Sequence, residues 1–390
     1  MDITALRAAT PGCANRVHLN NAGAALLARP TLDAMTGHLE REALLGGYEA
    51  GEDAHEEIAA TYDRIAALVG GRSDEVALFD NATRAWTAAF YSVPMRAGDR
   101  ILTGRAEYGS NVLAYLQVAQ RTGAEVVVVP DDEHGQLDVG ALAELVDDRT
   151  RLIGISHVPT DGGLVNPAAE IGRVARAAGV PYLLDATQSV GQFPVDVEEI
   201  GCDMLSATGR KFLRGPRGTG FLWVRTALLD RLEPHVVEIG AADGVGARGF
   251  TWKDGAARFA TWEHSYVNVL GLGAALGQAL DLGLEAIGAR VVALGAALRD
   301  RLDAVPGVTT HDRGATRCAI VTASVEGVPA AEVAARLREK GVNVSVTVPR
   351  DTQLTTEIRD LPPLVRLSPH YYNTDDELDR AVEELAALRR

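Results

Sequence analysis

A chain of 390 residues, 47% hydrophobic and 23% charged, has the balance of a soluble globular protein long enough for a large domain and a smaller one. Its formal net charge of −15 and the lack of any dense Lys/Arg run exclude nucleic acid and anionic membrane as expected partners, and no apolar run reaches the roughly 20 residues that span a bilayer. Cys13, Cys202 and Cys318 are odd in number and too scattered for a disulfide framework or a metal site, and residues 1–10 lack a signal-peptide layout. A cytoplasmic protein without metal is expected.

Between residues 16 and 225, short β-branched runs alternate with longer helical patterns. Residues 76–79, 100–103, 125–129, 152–156 and 182–185 read as buried strands, and 83–92, 110–121, 139–146 and 167–178 carry helical periodicity. Residues 204–206 and 220–224, flanking the Gly/Pro-rich stretch 214–218, add two more strands. This alternation predicts an α/β fold with a mostly parallel seven-stranded sheet covered on both faces. Residues 240–261, rich in Gly and Ala, read as an ordered loop. Beyond 268 the texture changes to a long helix over 269–304, then a strand at 317–324, a helix at 330–340, strands at 342–346 and 364–368, and a last helix at 375–388. The expected organisation is a large domain over 16–268 and a small α+β domain made of 1–15 and 269–390.

The chain holds only three lysines, Lys211, Lys253 and Lys340. A primary amine that condenses with an aldehyde must be lysine, tuned to react near neutral pH. Lys340 ends a helical pattern, where a cation meets the helix dipole favourably, and Lys253 sits in a polar, exposed-looking stretch. Lys211 alone follows a strand end within a glycine-rich turn, Thr208-Gly-Arg-Lys-Phe-Leu-Arg-Gly-Pro-Arg-Gly-Thr-Gly220. Such a turn also fits a phosphate loop or a plain surface turn. Asp185, ending the apolar run Val180-Pro-Tyr-Leu-Leu-Asp185, offers the carboxylate that would pair a pyridinium nitrogen, although it equally fits a helix cap.

Together Tyr182-Leu-Leu-Asp-Ala-Thr-Gln-Ser189, Thr208-Gly-Arg-Lys-Phe212 and Gly215-Pro-Arg-Gly-Thr-Gly220 closely resemble the class V aminotransferase family. The likeness runs from His18-Leu-Asn-Asn-Ala-Gly23 to Arg366-Leu-Ser-Pro-His-Tyr-Tyr-Asn-Thr374. It implies the pyridoxal 5′-phosphate (PLP)-dependent transferase fold of aspartate aminotransferase, fold type I. By the same resemblance Lys211 forms the Schiff base and moves protons at the substrate Cα. Asp185 binds the ring nitrogen, and Gln188 and Thr160 approach the phenolic oxygen. Ala82 and Thr83 offer a helix N-terminus to the phosphate; Thr208 and Arg210 join them, and Tyr108 stacks on the ring. Arg366 forks onto the substrate carboxylate, with the Ala22-Gly23 backbone near the substrate. Taken singly, Thr83 also fits a helix cap, Tyr108 a core aromatic, Arg366 a surface ion pair, and Asn20 and Asn21 a turn. His157 reads as structural. The resemblance further implies a homodimer in which residues 258–264 reach the partner's phosphate site, with Glu263 in place of a family threonine.

The reaction is less fixed than the cofactor. Desulfurases of the family carry a nucleophilic cysteine on a loop matching residues 346–357, and this chain has none there. Ser156-His-Val-Pro-Thr-Asp-Gly-Gly-Leu-Val-Asn-Pro167 looks most like lyases that split S-substituted cysteines, such as hercynylcysteine sulfoxide lyase and the S-conjugated cysteine enzymes of lincosamide assembly. The expectation is β-elimination from an S-substituted cysteine or its sulfoxide in secondary metabolism. Decarboxylative oxidative deamination, transamination and epimerisation are the alternatives. A silent PLP-fold protein is disfavoured, since the lysine and the acid are both present. A dinucleotide-binding fold is disfavoured because Asp80-Asn-Ala-Thr-Arg-Ala85 lacks the glycine fingerprint. The loop 351–360 and the stretch 240–252 are expected to shape specificity.

Overall fold

The computed structural model describes residues 1–389, except for the side chains of 356–358 and 389; those parts of the 351–360 and 269–390 expectations lie outside the described residues. After a helix Ile3–Ala8 comes a short strand, β1 (Val17–His18). Three helices that the sequence pattern left unassigned follow, Arg29–Leu45, Gly47–Asp53 and His55–Val69.

The expected alternation then appears as β2 (Val76–Phe79), β3 (Arg100–Thr103), β4 (Glu125–Val128), β5 (Thr150–Ser156), β6 (Tyr182–Asp185), β7 (Met204–Thr208) and β8 (Gly220–Val224). They form one seven-stranded sheet in the order β2-β8-β7-β6-β5-β3-β4. Only β8 runs against its neighbours β2 and β7; the other pairs are parallel. Both faces are covered. Leu183 packs with Trp86, Phe90 and Tyr115, while the next residue, Leu184, packs with Ile155 and Ile171 in a different cluster. Successive side chains point to opposite faces, so a strand buried on both reads as an unbroken apolar run. The parallel strands β3, β5, β6 and β7 end on Thr103, Ser156, Asp185 and Thr208. Polar groups thereby collect at the carboxyl edge of the sheet, where ligands of open α/β sheets bind.

The stretch 240–261 is more than a loop: β9 (Ala242–Gly244) and β10 (Phe250–Trp252) pair as a hairpin, followed by a 3₁₀ turn, Gly255–Phe259. The single helix expected over 269–304 is two, Tyr266–Leu282 and Leu284–Asp303, meeting at 85°. The break is at Gly283, whose φ of 80° is reached without strain only by a residue lacking Cβ. The first of these helices packs on Arg29–Leu45 and His55–Val69. A Cβ on Gly273 would lie 2.4 Å from Thr61 Oγ1, so the approach is close. Its Leu272 and Leu276 join the core beneath the large sheet, and the division expected at residue 268 falls inside this helix. Among the described residues no single helix is long and apolar enough to cross a membrane.

The remaining strands are β11 (Val308–Thr310), β12 (Val321–Val325), β13 (Val342–Asn343), β14 (Ser345–Val346) and β15 (Val365–Leu367). Four of them make an antiparallel sheet, β11-β12-β15-β14. The strand expected over 342–346 is split, because β13 pairs parallel with β1 while β14 pairs with β15. The strand expected at 317–324 begins only at Val321; before it, Cys318 N donates to Gly163 O at 2.7 Å and draws the segment toward the large sheet. The last helix, Asp375–Ala386, ends two residues before the expected 388 in a 3₁₀ turn. Leu294, Leu298, Val333, Leu337 and Leu378 form this unit's core, and Val17 and Leu19 share it. Arg7 pairs with Glu377 at 2.9 Å and ties the N-terminal helix to the same unit.

Candidate active site

A cavity of about 180 Å³ opens at the carboxyl edge of the large sheet. Ala82, Thr83, Tyr108, Thr160, Asp185, Gln188, Thr208, Arg210 and Lys211 all line it, so every expected cofactor contact is brought to one place.

Lys211 follows β7 and is 8% exposed. Burial, and then the neighbouring guanidinium groups of Arg210 and Arg366, lower its amine from 10.5 to about 7 against the pull of Asp185 and Asp351. The turn that carries it is rigid for a local reason. Arg214 N closes onto Lys211 O at 2.9 Å with Arg214 in the left-handed region at φ 60°. The Arg214 guanidinium is buried and donates to Tyr371 Oη (2.6 Å), Thr10 Oγ1 (2.7 Å) and Leu26 O (3.0 Å), and it lies 4.6 Å from the Tyr372 ring centre. A fixed cation thus locks the lysine turn to both chain ends.

Asp185 is held as an acceptor. Its Oδ1 takes the Thr187 amide and its Oδ2 the Asn111 side-chain amide, each at 3.0 Å. Across the cavity, helix Ala82–Tyr91 starts after β2. Its cap, Asn81, accepts from Arg84 N at 2.9 Å, which leaves the Ala82 and Thr83 amides with no partner inside the helix. Gly220 permits this close turn, since a Cβ there would lie 2.5 Å from the Asn81 carbonyl carbon. Helix amides of this kind bind anions. Thr208 donates its hydroxyl proton to Thr219 O at 2.9 Å, so in this arrangement it brings only lone pairs to the cavity. Arg210 donates to the Gly23 carbonyl, and this cation is tied to the Asn20–Gly23 turn instead of standing free for a phosphate.

The expected substrate residues Ala22, Gly23 and Arg366 stand outside the cavity lining, one hydrogen bond away. Gln188 Nε2 donates to Ala22 O at 3.2 Å, and Arg366 Nη1 donates to Thr160 O and Oγ1 at 2.7 and 2.8 Å. Arg366 Nε is buried without a partner. Burial lowers this guanidinium to about 10, with Asp161 opposing, so it stays charged at neutral pH. Asn21 donates to Ser368 O (2.7 Å) and Ala22 N to Ser368 Oγ (2.9 Å), which brings the N-terminal turn beside β15. Glu263 is exposed and away from the cavity lining, and His157 is buried, 3.1 Å from Ser189 Oγ, with its ring driven down to about 4 by burial.

Sequence reasoning missed Asn81, Asn111, Ser156 and Thr187 in the lining and Glu107 behind it. Asn111 lies in the first turn of helix Gly109–Thr122 and Glu107 just before its cap, Tyr108, so no helical spacing marks the pair.

An aromatic aldehyde bearing a ring nitrogen and a phosphate fits this arrangement. It needs an amine of lowered basicity, an anchored carboxylate, and amides facing an anion; buried polar atoms without partners, Thr187 Oγ1 and Gln188 Oε1, remain for its other groups. Fold and cavity together define a PLP enzyme of fold type I. The chain belongs to the aminotransferase class-V family, whose profile matches residues 17–381. A probable cysteine desulfurase of Methanothermobacter thermautotrophicus is 29% identical over 385 residues, covering 96% of each chain. The cysteine desulfurase structure from Thermococcus onnurineus NA1 superposes with a TM-score of 0.91 at 22% identity, over 99% of this chain and 97% of that one. The cystine C–S lyase C-DES, in complex with cysteine persulfide, superposes with a TM-score of 0.86 at 24% identity, over 97% of this chain and 99% of its own.

Proposed function

We propose that this enzyme is a C–S lyase that cleaves an S-substituted cysteine, or its sulfoxide, by β-elimination to pyruvate, ammonia and a thiol or sulfenic product, in a secondary-metabolite pathway. One observation carries the reading against its desulfurase relatives: the position of the thiols. The stretch matching the desulfurase loop, 346–357, contains no cysteine, and its Arg350 O lies so near Gly109, beside the cavity-lining Tyr108, that a Cβ there would lie 2.3 Å away. Cys202 and Cys318 are fully buried; burial pushes the first thiol far up and the second to about 12. Cys13 lies in the N-terminal turn, where burial also raises it. A persulfide carrier needs an exposed, easily ionised thiol at the substrate.

PLP, when bound, supplies the electron sink that weakens the bonds at Cα. The protein's own part is placement and proton transfer. Arg366 holds the substrate carboxylate by its guanidinium fork. Lys211, whose free amine is brought down to about 7 chiefly by burial, would take the Cα proton as a base suited to working pH. Asp185, held by the Thr187 and Asn111 amides, would pair the ring nitrogen. We infer a cytoplasmic homodimer: the three cysteines are free, and exposed Leu113 and Leu116 lie on helix Gly109–Thr122, which starts at the cavity. Light scattering of the purified protein tests the dimer.

The test of the reaction is to incubate the enzyme with an S-substituted cysteine and identify products by mass spectrometry. Pyruvate, ammonia and a free thiol support elimination. A keto acid keeping its sulfur substituent means transamination, and an aldehyde keeping sulfur means decarboxylative deamination; either refutes the proposal.

A further inference from the structure

Asp185 is joined to a second buried carboxyl. Asn111 Nδ2 donates to Asp185 Oδ2 at 3.0 Å and to Glu107 Oε1 at 2.9 Å. One amide thus spends its two hydrogens on two acids from different parts of the chain. Turned the other way, its carbonyl oxygen would face both, so the acids dictate the amide's orientation. Glu107 and Asn111 are each 1% exposed.

Glu107 is a hub. Besides Asn111 it accepts from Thr103 Oγ1 (3.2 Å), Ser156 N (3.1 Å), Ser156 Oγ and the Tyr108 amide (2.7 Å). Those donors come from the ends of β3 and β5 and from the residue that carries the cavity's aromatic ring. The titratable groups facing Glu107 are Asp185, Tyr115 and Tyr182, and burial keeps both phenols neutral. The same burial, with repulsion from Asp185, raises the Glu107 carboxyl to about 7.

We propose that Glu107 and Asn111 are positioning residues for the cofactor: Glu107 fixes the Asn111 amide, which pins Asp185 as an anion against the ring nitrogen, and the same carboxyl fixes Tyr108 through its backbone amide. Without the Asn111 hydrogen, the Asp185 carboxylate keeps only the Thr187 amide at 3.0 Å to hold its position. A carboxylate free to turn would hold a ring nitrogen less firmly. The inference rests on the cofactor and not on the C–S lyase reading.

The holoenzyme, Asn111→Ala and Glu107→Gln are compared by two readouts: the pH dependence of the bound cofactor's visible absorption, and the rate at which cofactor leaves the protein. In both variants the absorption change shifts along the pH axis, and the cofactor leaves about tenfold faster, the scale of one hydrogen bond to a charge. Gln117→Ala, on the same helix and outside the cluster, shifts neither. If Asn111→Ala fails to fold, Ser156→Ala removes one donor to Glu107 and shifts both readouts in the same direction. Folded variants with unmoved absorption and release overturn the inference. A wild-type protein with no cofactor band overturns the cofactor assignment, and with it the inference.

Discussion

Replacing Lys211 by Met isolates the electrostatic cost of the reactive amine in the cofactor-free protein. The folded state lowers this amine from 10.5 to about 7, so the unfolded chain binds the proton more tightly. Above pH 10.5 neither state holds it, and the amine has no electrostatic effect on stability. As pH falls from there toward 7 the unfolded state gains the proton first and stability drops; below 7 the loss is constant. At about 1.4 kcal/mol per unit, the loss is about 4 kcal/mol at pH 7 and about 1.4 kcal/mol at pH 9.5. Met is one atom shorter than Lys, fills most of the same space and removes the charge. Thermal unfolding of stripped protein, followed by circular dichroism, is therefore expected to show the variant melting above wild type at pH 7, with a gap that narrows toward pH 9.5. The trade of stability for a reactive group is typical of active sites. A variant that melts at or below wild type at pH 7, or a gap that does not depend on pH, refutes the desolvated-amine reasoning.

Arg366→Lys exchanges a fork for a point charge; kcat/KM is expected to fall about tenfold to a hundredfold, mostly through KM, in steady-state assays. Cys13, Cys202 and Cys318 changed together to Ala should leave pyruvate formation within about threefold of wild type, with any shortfall traced to stability; loss of turnover in a folded triple variant would restore a thiol mechanism. Gly109→Ala sets a Cβ against the Arg350 carbonyl, which has to move. Faster proteolysis within residues 349–359 and a raised KM are expected, since backbone carries the clash and cannot rotate away.

The strands were legible because burial on both faces leaves unbroken apolar runs at Tyr182–Asp185 and Gly220–Val224. Helix Arg29–Leu45 was not legible, and its surface says why: Leu39, Leu44 and Leu45 are exposed while His38 and Thr31 are fully buried. Its apolar residues do not mark the face that packs, so periodicity points the wrong way. The long helix over 269–304 failed at one residue. Residues 269–304 hold six glycines, each tolerable inside a helix, and only φ at Gly283 turns one of them into a corner. The split of 342–346 is a matter of pairing, which no local pattern encodes.

Legibility in the cavity divides along chemical lines. Lys211, Asp185 and Arg366 do things only their residue types can do, and each sits next to a strand end. Glu107 was not legible because its role is made by distance in sequence: Ser156 is 49 residues away, and Asp185 is 74 residues from Asn111. A buried carboxyl with no cation beside it is expensive unless donors surround it, so the fold must supply Thr103, Ser156, Asn111 and the Tyr108 amide together. That outlay makes little sense for packing alone, since an apolar side chain in the same space would need no donors. It makes sense if the site needs Asp185 anionic and fixed. The same logic reads the Arg214 turn, a buried guanidinium with no acid paired to it among the described residues, placed three residues from Lys211 and held by Thr10, Leu26 and Tyr371. Two buried polar groups, the Glu107 carboxyl joined to Asp185 through Asn111 and the Arg214 guanidinium in the lysine turn, each order a group that does the chemistry.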